Sequence, residues 1–184
     1  NFFPNWRSYK DYSGGGMTDM GAHHFDIAQW GLGMDESGPV EVIPPDGDEQ
    51  KGVAYRYANG VMMYHGGRSG VTFKGTDGVI EVDRSHFRTD PESIGSEPLR
   101  EDEVHLYRSD NHVRNFLDCV RSRKRPICDV EIGARSVTVC HLGNLAYWNN
   151  KRFRWDPENW RFLDEEDNRF LDRPKRAPWE LPEV

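Results

Sequence analysis

Two carboxylates and an imidazole gather in the stretch Ser13-Gly14-Gly15-Gly16-Met17-Thr18-Asp19-Met20-Gly21-Ala22-His23-His24-Phe25-Asp26-Ile27-Ala28-Gln29-Trp30. On a helix, at about 100° per residue, Asp19, His23, Asp26 and Trp30 fall within a sector of about 60°. A carboxylate one turn from an imidazole favours its charged form and fixes its tautomer. His23 is therefore a candidate general acid–base, with Asp19 as its orienting partner. Met20, His24 and Ile27 fall on a neighbouring sector, expected toward the core. The three glycines let a ligand approach the backbone near the helix start. The same face also reads as an ordinary solvated one, since an Asp near a helix N-terminus is favourable without any function. Asp19 and His23, at i and i+4, form a weak alternative metal pair. Its third ligand would have to come from His65, His86, His105 or His141, none at a telling spacing.

The elements that must hold this face follow from pattern. A helix is predicted from 18 to about 32, capped by Thr18 or Ser13 and closed by Gly33 and Pro39. Residues 39–84 read as strands: Val40–Ile43, then alternation over 53–57, an Asn59-Gly60 hairpin turn, alternation over 61–65, Val71–Phe73, and 79–83 after Thr76-Asp77-Gly78. They suggest one antiparallel meander. Residues 85–103 read as a charged loop. A helix over 110–124, capped by Asp110 or Asn111, carries Val113, Phe116, Leu117 and Val120 as a core-facing stripe. Another helix spans 130–149. The tail, 150–184, holds a strand at Arg152–Trp155, a turn at Asp156-Pro157, and Trp160-Arg161-Phe162. It closes in a Pro-rich arm with Pro174, Pro178 and Pro182. Strands and helices are segregated, so the fold class is α+β: one open, mostly antiparallel sheet with helices on one face, in a single domain over 1–184.

Composition narrows the function classes. The chain has 184 residues, 12% aromatic and 30% charged, which argues against global disorder. Its formal charge of −7 is the wrong sign for a nucleic-acid footprint. No apolar run reaches the ~18 residues of a membrane span. The opening Asn1-Phe2-Phe3-Pro4 lacks the basic and apolar regions of a signal peptide. Three cysteines (Cys119, Cys128, Cys140) suit reduced thiols and a cytoplasmic setting, with Cys128 and Cys140 expected buried. The basic run Arg121, Arg123, Lys124, Arg125 complements a helix C-terminus. Trp155, Trp160 and Trp179 read as aromatics that tie down the tail.

The segment from Gly14 to Asp26 resembles the signature of the Gfo/Idh/MocA oxidoreductases, the glucose–fructose oxidoreductase and inositol dehydrogenase family: a Gly pair, then Asp-x-Gly-x-His-x-x-Asp, matched by Asp19, Gly21, His23 and Asp26. Downstream, 112–126 is similar to the family's late H-x-x-x-F helix. Residues 129–147 are similar to the helix after it, and 154–179 resemble the tail of a bacterial subgroup. The resemblance implies a substrate-binding and oligomerisation domain of an NAD(P)-dependent sugar or polyol oxidoreductase. His23 would move the proton of a sugar hydroxyl and Asp19 would orient it. Arg7, Tyr12, Gly15, Gly16, His24 and Asp26 would contact substrate. His24 offers a second register, although the spacing from Asp19 favours His23. The resemblance further implies a homo-oligomer through the open sheet face, with Val61, Met63, Val71 and Phe73 exposed on it. The chain carries no G-x-G-x-x-G fingerprint and no Glu-Lys-Pro, so NAD(P) is expected in the family context and not bound to this chain alone. Either Asn1 marks a cut within a longer oxidoreductase, or the domain acts alone.

Acting alone, it would be a carbohydrate hydrolase or lyase, possibly metal-assisted. The carboxylates would then be Asp19, Asp26 and Glu81 or Asp83. A third alternative is a non-catalytic sugar-binding or dimerisation module, which would keep its ligand after His23→Ala.

Overall fold

The computed structural model describes residues 4–67, 70–173 and 175–179. Pro174 and Pro182 of the expected arm, and Asn1 to Phe3 at the start, lie outside the described residues. The chain divides into two compact units. The first comprises Asn1–Glu36 and Gly67–Cys140; the second comprises Ser37–Gly66 and His141–Val184.

The first unit opens with short 3-10 turns at Asn5–Ser8 and Gly15–Met17 and enters α1, Met20–Gly31. Helix α1 buries Phe25, Ala28 and Gln29. Met20, expected toward the core, is 49% exposed, and His24 and Ile27 are only half-buried. The inward face is thus centred one step further round, on Phe25, with Ala28 and Gln29. The Gln29 amide is satisfied by donating to the Met34 carbonyl at 3.1 Å. Gly33, at φ +66, stops the helix: its N–H donates to Trp30, and the Met34 N–H reaches Gln29.

Next come β4 (Val71–Lys74), β5 (Val79–Val82) and β6 (Phe87–Asp90), a three-stranded antiparallel sheet. The sequence reading missed β6, and with it the short α2, Ser93–Ser96. The charged loop was the wrong reading because the pairing is carried by backbone, with Arg88 opposite Glu81 and Phe87 opposite Val82. Phe73 is not on an open face. Its ring packs against α1 at Gly31, where an added Cβ would run into it.

Helix α3, His112–Ser122, is capped as expected: Asn111 accepts from the Arg114 N–H at 2.8 Å. Its stripe is a correction. Val113 is 66% exposed and Phe116 56% exposed, and Leu117 and Val120 are also exposed. The face turned inward is instead the one with Cys119, which is buried, and Asn115, which accepts from the Ile127 N–H at 3.1 Å. Cys128, expected buried, is exposed.

The second unit holds a five-stranded antiparallel sheet in the order β3-β2-β1-β7-β8, from β1 (Glu41–Ile43), β2 (Ala54–Arg56), β3 (Met62–Tyr64), β7 (Phe153–Asp156) and β8 (Arg161–Phe162). The register sets Val42 opposite both Tyr55 and Phe153. The Asn59-Gly60 turn forms, with Gly60 at φ +88 and Asn59 accepting from the Val61 N–H. The single expected meander is therefore two sheets. Gly66, Gly67 and Gly70, all at positive φ, end the ladder between β3 and β4. Both sheets are open and antiparallel, and the fold is α+β.

Helix α4, Val130–Asn149, belongs to the first unit through Cys140 and to the second from His141. In the second unit its Tyr147 hydroxyl accepts from the Val53 N–H at 3.0 Å and meets His65 Nδ1 at 2.8 Å. Trp155, Phe153 and Phe162 stack in one aromatic group with ring centroids 5.0–5.2 Å apart, and Phe170 joins from the tail. Trp155 thus ties the tail down as expected. Trp179 does not, being 68% exposed.

Among the described residues no helix is long and apolar enough to cross a membrane.

Candidate active site

On α1, His23, Asp26 and Trp30 are exposed while Phe25, Ala28 and Gln29 are buried, and Asp19 is exposed just before the helix. Asp19 is the N-cap residue, although its side chain makes no capping bond; neither Thr18 nor Ser13 caps. Thr18 turns back to the Gly15 carbonyl, and Ser13 accepts from the Gly15 N–H at 3.2 Å. These two contacts lock the glycine turn rather than the helix end.

Asp19 is engaged by Arg7, with Nε 3.3 Å from Oδ2. The pair is solvent-screened, since both side chains are about half exposed. Its role is placement: it ties the Asn5–Ser8 turn to the start of α1. The expected partner of Asp19 was His23. In this structure Asp19 turns to Arg7, and His23 makes no hydrogen bond or ion pair among the described residues. His24 is half-buried beside it. Tyr12 is 56% exposed, on a turn whose N–H reaches the Tyr9 carbonyl.

Gly15 adopts φ +67, which favours glycine. A side chain at Gly16 would meet nothing within 4 Å, so the backbone there is open to a ligand. Gly21 is needed for a different reason: a Cβ would press on the Gly16 carbonyl at 3.2 Å. The motif glycine therefore lets the triglycine turn sit on the first turn of α1.

Asp26 is fixed from outside the motif. It accepts from the Ser136 hydroxyl of α4 at 2.7 Å, and Ser136 is buried. Ser136 lies 110 positions along the chain, and no local pattern flags it. Asp35 is a second addition. Burial first, and then the charge of Asp26, push its carboxyl above the usual range, with Arg125 pulling the other way. One oxygen of Asp35 is buried without a hydrogen-bond partner among the described residues. Arg125 itself bridges Glu36, Asp129 and Glu131, so the basic run serves as a local clamp as well as a helix ending.

The other carboxylates considered are differently employed. Asp83 accepts from the Ser85 and His86 N–H groups at 2.7 Å each, and these bonds hold it below its ordinary range as a turn residue. Glu81 sits in the middle of β5 opposite Arg88. No group of three His, Cys, Asp or Glu able to hold a metal exists among the described residues. His65 and His141 lie in the second unit, and burial lowers the pKa of each below the ordinary histidine value.

Every strand pair among the described residues is antiparallel. The triglycine follows a turn rather than a strand. These residues therefore do not form the strand–turn–helix cradle of a dinucleotide.

Comparison with curated proteins and with solved structures gives no match. Comparison with protein families gives one that spans almost the whole chain: residues 2–181 match the model described as oxidoreductase family, C-terminal alpha/beta domain. This chain belongs to the C-terminal domain family of the Gfo/Idh/MocA oxidoreductases.

Proposed function

We propose that this chain is the substrate-handling domain of a sugar or polyol oxidoreductase. The observation that supports it is the exposed side of α1 that carries His23 and Asp26, with Asp19 exposed at its N-cap and a glycine backbone open at Gly16. His23 takes or returns the proton of the substrate hydroxyl whose carbon is oxidised or reduced, as an exposed imidazole that a substrate can reach. The Arg7–Asp19 pair offers a donor and an acceptor side by side, matching neighbouring hydroxyls. Asp26, held by Ser136, fixes the far end of the face. Tyr12, Gly15 and His24 line it.

Family members are generally NAD(P)-dependent, and the dinucleotide supplies the hydride chemistry. The strand–turn–helix cradle of a dinucleotide is absent among the described residues, and in this reading the domain's part is to bind, orient and move the proton. The reading extends to a homo-oligomer through an open sheet face bearing Val61, which light scattering would detect.

Isothermal titration with a panel of sugars and polyols tests the reading. Saturable binding is expected, weakened about tenfold or more by Asp19→Asn or Arg7→Ala, the cost of a charge-assisted hydrogen bond. A panel with no binder, or binding indifferent to both substitutions, would overturn it.

A further inference from the structure

Strand β6 is an outer strand of its sheet: β5 pairs with one of its sides, and among the described residues no strand pairs with the other. The register shows which backbone groups this leaves. The Asp83 N–H donates to the His86 carbonyl at 2.9 Å, so 83 and 86 form a hydrogen-bonded pair. Such pairs alternate along an antiparallel ladder, which makes Glu81–Arg88 and Val79–Asp90 the next two. The N–H and C=O groups of Phe87 and Thr89, in between, point away from β5. None of these four groups has a partner among the described residues. Helix α2 packs against side chains of β6, since a Cβ at Gly95 would meet the Phe87 ring and the Thr89 side chain. The Thr89 hydroxyl donates to the Glu92 carbonyl at 3.3 Å and holds the turn between them. A groove of about 540 Å³ remains between β6 and α2, walled by all four β6 residues.

Phe87 and Thr89 turn toward α2, so Arg88 and Asp90 stand on the opposite face. Both are exposed, and neither side chain makes a hydrogen bond or ion pair among the described residues. An edge guarded against pairing carries a lysine, a bulge or a proline within it. β6 instead carries opposite charges on either side of Thr89, and Pro91 comes only after its last residue. That pattern is complementary to itself. A two-fold axis through Thr89 brings two β6 strands together antiparallel, with Thr89 opposite Thr89. Arg88 of each copy then stands directly opposite Asp90 of the other, and the outward Thr89 groups bond reciprocally. Sliding the strands by two residues sets Arg88 against Arg88 in one direction and Asp90 against Asp90 in the other, and like charges directly opposite are destabilising. We infer that the β6 edge is a self-association surface whose occupant is β6 of a second copy of this chain, in the register centred on Thr89. The inference does not draw on the sugar reading, and it concerns an edge in the first unit rather than the sheet face that bears Val61.

Two short edges make a small interface, so a weak dimer is expected, with a Kd on the order of 10–100 μM. Sedimentation equilibrium on the full chain across that range is the test, with Arg88→Asp, Asp90→Arg and a one-to-one mixture of the two variants. Either substitution alone sets like charges across the edge and should weaken association about tenfold or more. The mixture restores opposite charges at every cross-strand position and should recover the wild-type association as a heterodimer. A role of these side chains within one copy would not be recovered by mixing. A wild-type chain that stays monomeric at about 500 μM, association that neither substitution moves, or a mixture no more associated than its separate components would overturn the inference.

Discussion

The two units bury their side chains very differently. In the second, Val42, Val53, Ala54, Tyr55, Tyr57, Phe153 and Phe162 are at most 1% exposed, and β7 and β8 carry a group of packed aromatic rings. In the first, no residue of β4, β5 or β6 is fully buried, and the buried side chains are a few from the Gly15–Met17 turn, α1, α3 and α4. The chemistry-bearing residues lie in the first unit: Arg7, Asp19, His23 and Asp26 all keep solvent access. Apolar burial and polar access compete for the same surface, and this chain resolves the competition by separating them. One unit supplies cohesion, and the other presents side chains that a ligand can reach.

The largest test of that contrast is Phe153→Ala. Truncating a fully buried ring that touches two other aromatics should cost about 3–5 kcal/mol in urea unfolding. A loss below about 1 kcal/mol would mean the second unit is not the cohesive one. In the first unit one sensitive position is a close approach, not a large side chain. Gly31→Ala forces a methyl group into the Phe73 ring and should cost about 1–3 kcal/mol, partly recovered by adding Phe73→Leu. Full stability in Gly31→Ala would show that β4 does not rest on α1.

A further pair of substitutions sharpens the contrast by expecting little. Phe116→Ala and Leu117→Ala on α3 should each change stability by less than about 1 kcal/mol, because both residues are half exposed. A loss of several kcal/mol would return the stripe to the core. The smallest effect is on pH dependence. His65 and His141 are both held below the ordinary histidine pKa, chiefly by burial. The folded form then binds these protons less readily than the unfolded form. Their contribution to stability is complete above about pH 6.5 and falls as pH drops through that value. His65→Gln keeps a polar partner for Tyr147 and should flatten the fall between about pH 7.5 and pH 5.5, read as a smaller drop in melting temperature.

How legible each part was depends on whether its signal is local. The exposed side of α1 follows from spacing alone, since His23, Asp26 and Trp30 share one helical sector and all three are exposed. The Asn59-Gly60 turn, the Asn111 cap and the Gly33 stop are equally local. What failed needed distant information. β6 lies in a charged stretch because its register is set by β5. The α3 stripe has the right period, but periodicity says only that a face is apolar, not which way it turns. Ser136 binds Asp26 from another helix, and Arg7 takes the carboxylate that spacing assigns to His23.

The most direct test of the account follows the histidine imidazoles by proton–nitrogen NMR while the sugar and polyol panel is titrated in. The account predicts that His23 shifts saturably with a binding ligand, while His65 and His141 in the cohesive unit stay where they are. A ligand that binds and moves only His65 or His141, or leaves His23 unchanged at saturation, would contradict it.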